Sequence, residues 1–193
     1  VFPLLSPMSG EGLWAIRSIV AVPCIILIVV LLREWHQVDA LWRRIRKQPI
    51  LALGLLACGL MLAAQTWVLG WPPVYGRGLQ VALGYFLLPL VLVVVGRVLY
   101  RDRLAWWQWL AAGVAAIGVV AEIIRVGGIS WETLLVALGY PVYFVVRRSL
   151  GLNNFGGTVG EQVIVLPLAI YFIVAEIVDG RALRENPSIW WLG

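Results

Sequence analysis

Long apolar stretches make up most of this 193-residue chain, and short polar loops, called joints below, separate them. Each stretch contains roughly the 20 residues that an α-helix needs to cross a hydrocarbon layer about 30 Å thick. A helix that is apolar on all sides is typical of a membrane span rather than of a soluble core. The pattern therefore predicts six transmembrane helices, over Trp14 to Leu32, Pro49 to Trp71, Gly78 to Leu99, Leu104 to Ile124, about Val126 to Val146, and Thr158 to Val178.

Composition supports an all-α integral membrane protein built as a helical bundle. Hydrophobic residues make up 62% of the chain, charged residues 13%, and the mean hydropathy is +0.92, far from the values of soluble domains. The two cysteines, Cys24 and Cys58, fall inside apolar stretches without the spacing of a metal site. The sequence therefore predicts membrane lipids as partners and predicts no metal, cofactor or nucleic acid.

The distribution of basic residues predicts the orientation of the helices. Ten lysine and arginine residues fall in or beside one set of alternate joints, and four fall in the joints and tail on the other side. Cytoplasmic loops of membrane proteins carry an excess of Lys and Arg. The basic segments 33–48, 100–103 and 147–157 are therefore predicted to face the cytoplasm, so that the first span runs inward and the sixth runs outward.

The longest joint, segment 33–48, contains Trp35 and Trp42 beside five basic residues. Two interpretations stay open: an amphipathic turn that lies on the anionic cytoplasmic leaflet, or a charge anchor that only fixes the topology. Both place the segment at the membrane surface. Trp14 is also expected near an interface, because indole prefers the headgroup zone.

Ionisable groups inside the spans are the first candidates for function, because they are costly in lipid. Arg17 lies about one turn inside the outer end of the first span, and Glu161 about one turn inside the cytoplasmic end of the last. Glu161 is the candidate for a proton- or cation-responsive group, and Arg17 for binding an anionic group such as a carboxylate. Being near opposite faces, they are not expected to pair. Three other charged residues are expected to reach the interface from span ends: Arg97, Glu122 and Glu176.

Uncharged candidates for a solute pathway are Gln65 and Trp67 in the second span and Tyr85 and Phe86 in the third. An amide can hydrogen-bond a solute, and aromatic rings offer flat apolar surface; helix packing is the alternative for each. Helices that bend around a cavity are also expected. Each proline inside a span removes a backbone hydrogen bond, which predicts kinks at Pro23, Pro89, Pro141 and Pro167.

Two of the spans resemble each other. In RSIVAVPCIILIVV (residues 17–30) and EQVIVLPLAIYFIV (residues 161–174), an ionisable residue precedes a proline by six positions. The two spans run in opposite directions in the predicted topology, as an inverted-topology repeat requires. Because they are five spans apart, they predict a five-helix repeat and a complete protein of ten helices. The predicted division is 1–125, a first repeat without its first helix, and 126–193, the start of a second.

Several short motifs accompany this pattern: LGYF at 83–86 followed by Pro89, YRDRL at 100–104, QWLA at 108–111, Arg17 with Ser18, and Glu161 with Leu166-Pro167. Together they resemble the RarD-type permeases of the EamA family, in the drug/metabolite transporter superfamily. The resemblance extends over nearly the whole chain. It implies two inverted five-helix repeats in a bacterial inner membrane, and a chain that lacks the first helix and the last three.

These features favour a secondary transporter, a permease or exporter that moves small metabolites or drugs by alternating access. Its expected partners are a small-molecule solute and protons as coupling ion, and a homodimer is compatible with the sequence. The alternative is a non-transporting membrane scaffold or an assembly or regulatory protein, which the low number of buried polar groups favours. An enzyme is not predicted, because the spans contain no His, no Ser/Lys pair and no carboxylate pair at helical spacing.

Overall fold

The computed structural model describes residues 9–74, 76–101 and 105–178, with side chains omitted at 71, 73 and 74. Within these ranges the chain is all α-helical and contains no β-strand. The helices are α1 (Gly10–Leu31), α2 (Trp35–Lys47), α3 (Ile50–Val74), α4 (Gly78–Leu99), α5 (Trp106–Val126), α6 (Trp131–Ser149) and α7 (Phe155–Val178). Five of them, all except α2 and α6, are long and apolar enough to cross a membrane. The prediction of an all-α, multi-pass membrane bundle is confirmed.

The clearest difference in boundaries concerns the fifth predicted stretch, expected from about Val126. Its helix, α6, begins later because Gly127 and Gly128, with φ of 88° and 136°, end α5. Glycine adopts such backbone angles without the steric cost that a side chain would impose. With an acidic residue in its first turn and two basic residues in its last, α6 is also more polar than the five apolar helices.

Segment 33–48, expected to be a loop or an amphipathic turn, contains the 13-residue helix α2. This helix packs against α3 and α7, and its buried residue Leu41 joins a core with Leu55 and Tyr143. The end of the bundle that carries α2 and the α6–α7 joint is called the α2 end. The opposite end, where α1 begins and α7 ends, is called the Ser9 end.

Helix α3 lies at the centre of the bundle, in contact with α1, α4, α6 and α7. One core, around Trp14, Ala63 and Val165, joins α3 to α1 and α7, and a second, around Val68 and Val136, joins it to α4 and α6. Helix α5 packs against α4. The elements predicted as the start of a second repeat, α6 and α7, thus pack directly on those of the first.

Trp14, the fifth residue of α1, is buried inside the bundle, with 1% of its surface exposed; its expected place near an interface stays a prediction. Its Nε1 atom donates to Thr66 Oγ1 at 2.9 Å, and its ring packs perpendicular to that of Phe172 with centroids 5.8 Å apart. A buried indole requires a hydrogen-bond partner for its N–H group. Thr66 supplies that partner, which position along the sequence could not reveal.

Helices α4 and α6 approach closely at Gly84, inside the LGYF motif. A Cβ atom at this position would lie 2.7 Å from Val136 Cβ and 2.9 Å from the Thr133 carbonyl oxygen. Small residues permit such close packing of membrane helices. The glycine therefore lets the first third of α4 pack closely against α6.

The four prolines predicted as kink positions all lie inside helices that continue past them, in α1, α4, α6 and α7. Some predicted features lie outside the described residues: the N-terminal residues 1–8, residues 102–104 of the basic turn, and the tail 179–193.

Candidate functional site

Glu161 is fully buried between α7 and its neighbours, and a pair of side chains from α6 holds it. The Tyr143 hydroxyl donates to Glu161 Oε2 at 2.9 Å, and Arg147 Nη1 lies 3.5 Å from the same oxygen. Arg147 Nη1 also donates to the Tyr143 hydroxyl at 2.7 Å. A buried carboxylate is tolerated when it is paired and hydrogen-bonded in this way.

The two carboxylate oxygens of Glu161 have different surroundings. Both polar contacts from α6 reach Oε2, whereas Oε1 is buried without a hydrogen-bond partner among the described residues. Buried polar atoms in native proteins are rarely left unpaired. The unpaired oxygen makes Glu161 a candidate site for a proton or a cation.

Arg147 connects this carboxylate to the α2 end. Its Nη2 atom donates to Thr158 Oγ1 at 2.6 Å, and its Nε atom to the Leu152 carbonyl oxygen at 3.2 Å. It also lines a cavity of about 460 Å³ at the α2 end, with Gln37, Asn153, Asn154, Phe155 and Thr158. One guanidinium therefore lies between the buried Glu161 and a polar, open cavity, called here the α2-end cavity.

Arg17 lies at a second cavity, of about 130 Å³, between α1, α3 and α7. Ser18, Thr66 and Gln162 contribute its polar lining. The Arg17 side chain is exposed, and within the described part of the chain it has no hydrogen-bond or ion-pair partner. Arg17 and Glu161 do not pair, because the cation of Glu161 is Arg147.

Trp67 lies at a third cavity, of about 290 Å³, which Trp14 also lines. The lining is almost entirely apolar and includes Leu60, Leu168 and Phe172. Trp14 lines both this cavity and the one that contains Arg17. A charged compartment and an apolar compartment therefore share one indole wall.

Gln65 is buried and bridges α3 to α6. Its Nε2 atom donates to the Leu135 carbonyl oxygen at 2.8 Å, while its Oε1 atom is buried without a partner among the described residues. Gly139 makes room for it, because a Cβ atom there would overlap the Gln65 amide nitrogen. Gln65 therefore packs at the junction of the two predicted repeats rather than lining one of the three cavities above.

Tyr85 and Phe86, adjacent in sequence, point in different directions. The Tyr85 hydroxyl lies 3.3 Å from that of Tyr140, and the two rings are 5.9 Å apart between centroids. Phe86 is 60% exposed on the surface of the described helices. Successive helical positions are about 100° apart, so one residue faces α6 and the next does not.

Polar contacts also join the two predicted repeats at the Ser9 end. Arg77 Nη1, beside the start of α4, lies 2.7 Å from Oε1 of the fully buried Glu132 in α6. Glu176 accepts hydrogen bonds from Ser9 N at 2.9 Å and from Ser9 Oγ at 2.6 Å. Glu176 was expected to reach the membrane interface; it is instead 7% exposed and stabilises the first turn of α1.

Sequence reasoning missed three residues of these sites: Tyr143, Arg147 and Glu132. Arg147 was counted only as a loop charge, although Tyr143 and Arg147 are four positions apart and so share a helix face. Glu132 falls inside the stretch predicted as the fifth span, where a carboxylate is a default candidate. Both signals were present in the sequence. The sequence did not show that Arg147 pairs with Glu161 on α7, or that Glu132 pairs with Arg77 beside α4.

The fold and the buried ion pairs define a multi-pass helical membrane protein with ionisable groups held between its helices. The chain is homologous to bacterial proteins named as transporters. It is 40% identical to a Pasteurella multocida protein named "Uncharacterized transporter PM1281" over 94% of its length, and 36% identical to an "Uncharacterized transporter" of Haemophilus influenzae over 97%. It is 37% identical over 98% of its length to the "Chloramphenicol-sensitive protein RarD" of Pseudomonas aeruginosa.

These similarities confirm the resemblance to RarD-type permeases. The chain covers 62%, 62% and 63% of the lengths of the P. multocida, H. influenzae and P. aeruginosa proteins, and thus spans a little over three fifths of the relatives it matches. No family model matches the chain, so membership of the EamA family stays a prediction. No solved structure matches it either.

Proposed function

We propose that the whole protein is a secondary transporter of the bacterial inner membrane, which moves small metabolites or drugs by alternating access. The observation that carries this proposal is the buried Glu161, held by Tyr143 and Arg147 next to the α2-end cavity. A carboxylate buried among membrane helices is costly, and a plain scaffold has no need of one. The transporter names of the relatives support the same class.

Alternating access requires one repeat to move against the other, and the proposed repeats, 1–125 and 126–193, meet through polar contacts near both ends. At the Ser9 end these are Arg77 with Glu132 and Ser9 with Glu176. At the α2 end, Gln37 Oε1 accepts from Phe155 N at 2.8 Å. In the proposed cycle the polar contacts at one end break while those at the other end stay intact.

The α2 end is proposed to face the cytoplasm, because it carries most of the basic residues. Glu161 is then reached from the cytoplasm through Arg147 and the α2-end cavity. In this scheme a proton binds Glu161 Oε1, the oxygen without a partner, and its arrival releases the carboxylate from Arg147. Protons are accordingly the proposed coupling ion.

The solute is proposed to bind around α1 and α3, where Trp14 lines both the cavity of Arg17 and the cavity of Trp67. Arg17, exposed and unpaired within the described residues, would bind a carboxylate or another anionic group. The apolar cavity beside Trp67 would accept a hydrophobic part of the same molecule. An amphipathic solute with one anionic end fits both compartments.

The test uses the full-length protein in proteoliposomes with an imposed pH gradient. Amino acids and amphipathic drugs are added one at a time, and the collapse of the gradient is followed for the wild type and for Glu161→Gln. We expect solute-dependent proton movement in the wild type and none in Glu161→Gln.

Arg125→Gln is the matched control, because its exposed ion pair with Glu122 lies on α5, away from the cavities. It should transport like the wild type. No solute-dependent proton movement in the wild type would contradict proton coupling. An absence of solute uptake altogether would favour the non-transporting scaffold.

A further inference from the structure

Helix α2 lies where α1 and α3 leave the apolar layer, and it has two different faces. Leu41 is buried, and Ile45 packs beside it against the core under α2. Because α1 ends at Leu31 and α3 begins at Ile50, and both are long enough to span a membrane, α2 lies at the membrane surface.

Polar contacts fix α2 on the α6–α7 joint. Arg44 donates from Nη2 to the Leu150 carbonyl oxygen at 2.9 Å and from Nη1 to that of Gly151 at 3.2 Å. Gln37 accepts from Phe155 N at the start of α7. Of the basic residues of α2, Arg44 is thus used in holding the helix in place.

The opposite side of α2 combines indoles with unpaired cations. Trp35 and Trp42 are 45% and 56% exposed, and the Arg46 guanidinium lies 5.1 Å from the centre of the Trp42 ring. Arg43 and Lys47 are exposed and have no polar partner within the described residues. The surface formed by Trp35, Trp42, Arg43, Arg46 and Lys47 is called the basic-indole face. Asp39, the single carboxylate of α2, is exposed within this face, where three cations oppose it.

We propose that the basic-indole face binds the headgroup phosphates of anionic phospholipids. Indole rings settle at the headgroup level, and a basic amphipathic helix in the membrane plane is attracted to anionic lipid. An anchor that only fixes topology needs positive charge but not two exposed indoles on the same side. The charge of the face is complementary to lipid phosphate, and the proposal does not depend on whether the protein transports a solute.

The test measures lipid binding to the purified full-length protein in neutral detergent by native mass spectrometry. The two probes are phosphatidylglycerol and phosphatidylcholine, and we expect tighter binding of phosphatidylglycerol. The variant R43Q/K47Q removes two exposed cations that have no polar partner within the described residues. It should bind phosphatidylglycerol about 30-fold more weakly, since each basic residue near an anionic surface contributes about 1 kcal/mol.

The control is R101Q/R148Q, which removes two exposed cations at the same end of the bundle but outside α2, together with the contact of Arg148 on the Tyr100 ring. It should bind phosphatidylglycerol nearly as tightly as the wild type. Equal binding of the two lipids, or an equal loss in both double variants, would overturn the proposal. So would a co-purifying protein that R43Q/K47Q loses while lipid binding is unchanged, because the face would then bind a protein.

Discussion

Tyr143 and Glu161 are joined across the interface of α6 and α7 by a hydrogen bond of 2.9 Å from the tyrosine hydroxyl to Glu161 Oε2. Arg147, one turn further along α6, contacts both of them. The carboxylate therefore depends on α6 for both its charge partner and its hydrogen bond. Any change in the position of α6 relative to α7 changes the surroundings of Glu161.

Removing the charge partner is expected to leave Glu161 buried and unpaired. Arg147→Gln should lower the free energy of unfolding by about 3 to 5 kcal/mol, the usual cost of breaking a buried ion pair from one side. Thermal unfolding of the detergent-solubilised protein measures the change.

The control for this prediction is the double variant R147Q/E161Q, in which neither charge is present. It should lose clearly less stability than the sum of the single variants, because paired residues couple. Additive losses would show that Arg147 acts mainly through Thr158 and Leu152, its other contacts.

Tyr143→Phe removes one hydroxyl and leaves the ring in place. We expect a loss of about 1 to 3 kcal/mol, because a hydrogen bond to a charged group in a buried site is removed. The Arg147–Glu161 contact should persist, so the loss should be smaller than for Arg147→Gln. A loss as large as that of Arg147→Gln would mean that Tyr143 positions the whole cluster.

Gly139→Ala is expected to displace the Gln65 side chain, because the new methyl group would overlap its amide nitrogen. Overpacking of this kind costs about 1 to 3 kcal/mol, and Gln65→Ala in the same chain should relieve most of it. Gly113→Ala is the control, since nothing lies within 4 Å of a Cβ atom there. Thermal unfolding of the three variants measures both effects, and equal losses at the two glycines would contradict the contact.

Glu176→Ala is expected to loosen the Ser9 end of the bundle. The carboxylate accepts both the Ser9 N–H and the Ser9 hydroxyl, so its loss should speed hydrogen exchange at the start of α1. Glu176→Gln keeps an acceptor oxygen and should have a smaller effect. Unchanged exchange in Glu176→Ala would show that packing alone holds this end closed.

Much of the fold was predictable because its signal is local. A run of some twenty apolar residues specifies a membrane helix by itself, and the predicted third span, Gly78–Leu99, coincides with α4. The start of α6 was misplaced because two glycines interrupt an otherwise apolar run. Helix α2 was assigned to a loop because a short polar helix depends on the α3 and α7 surfaces that its buried face packs against.

The site was predictable only in part. The sequence alone singled out Glu161 and Arg17, because charge inside an apolar run is visible without coordinates. It did not determine that Arg147 pairs with Glu161, that Trp14 lies in the interior, or that Tyr85 meets Tyr140. Those relationships join residues of different helices, and only the packing of the helices decides which side chains meet. The length of each apolar run in the sequence specified the membrane helices, while the contacts between helices decided which of their polar groups are paired.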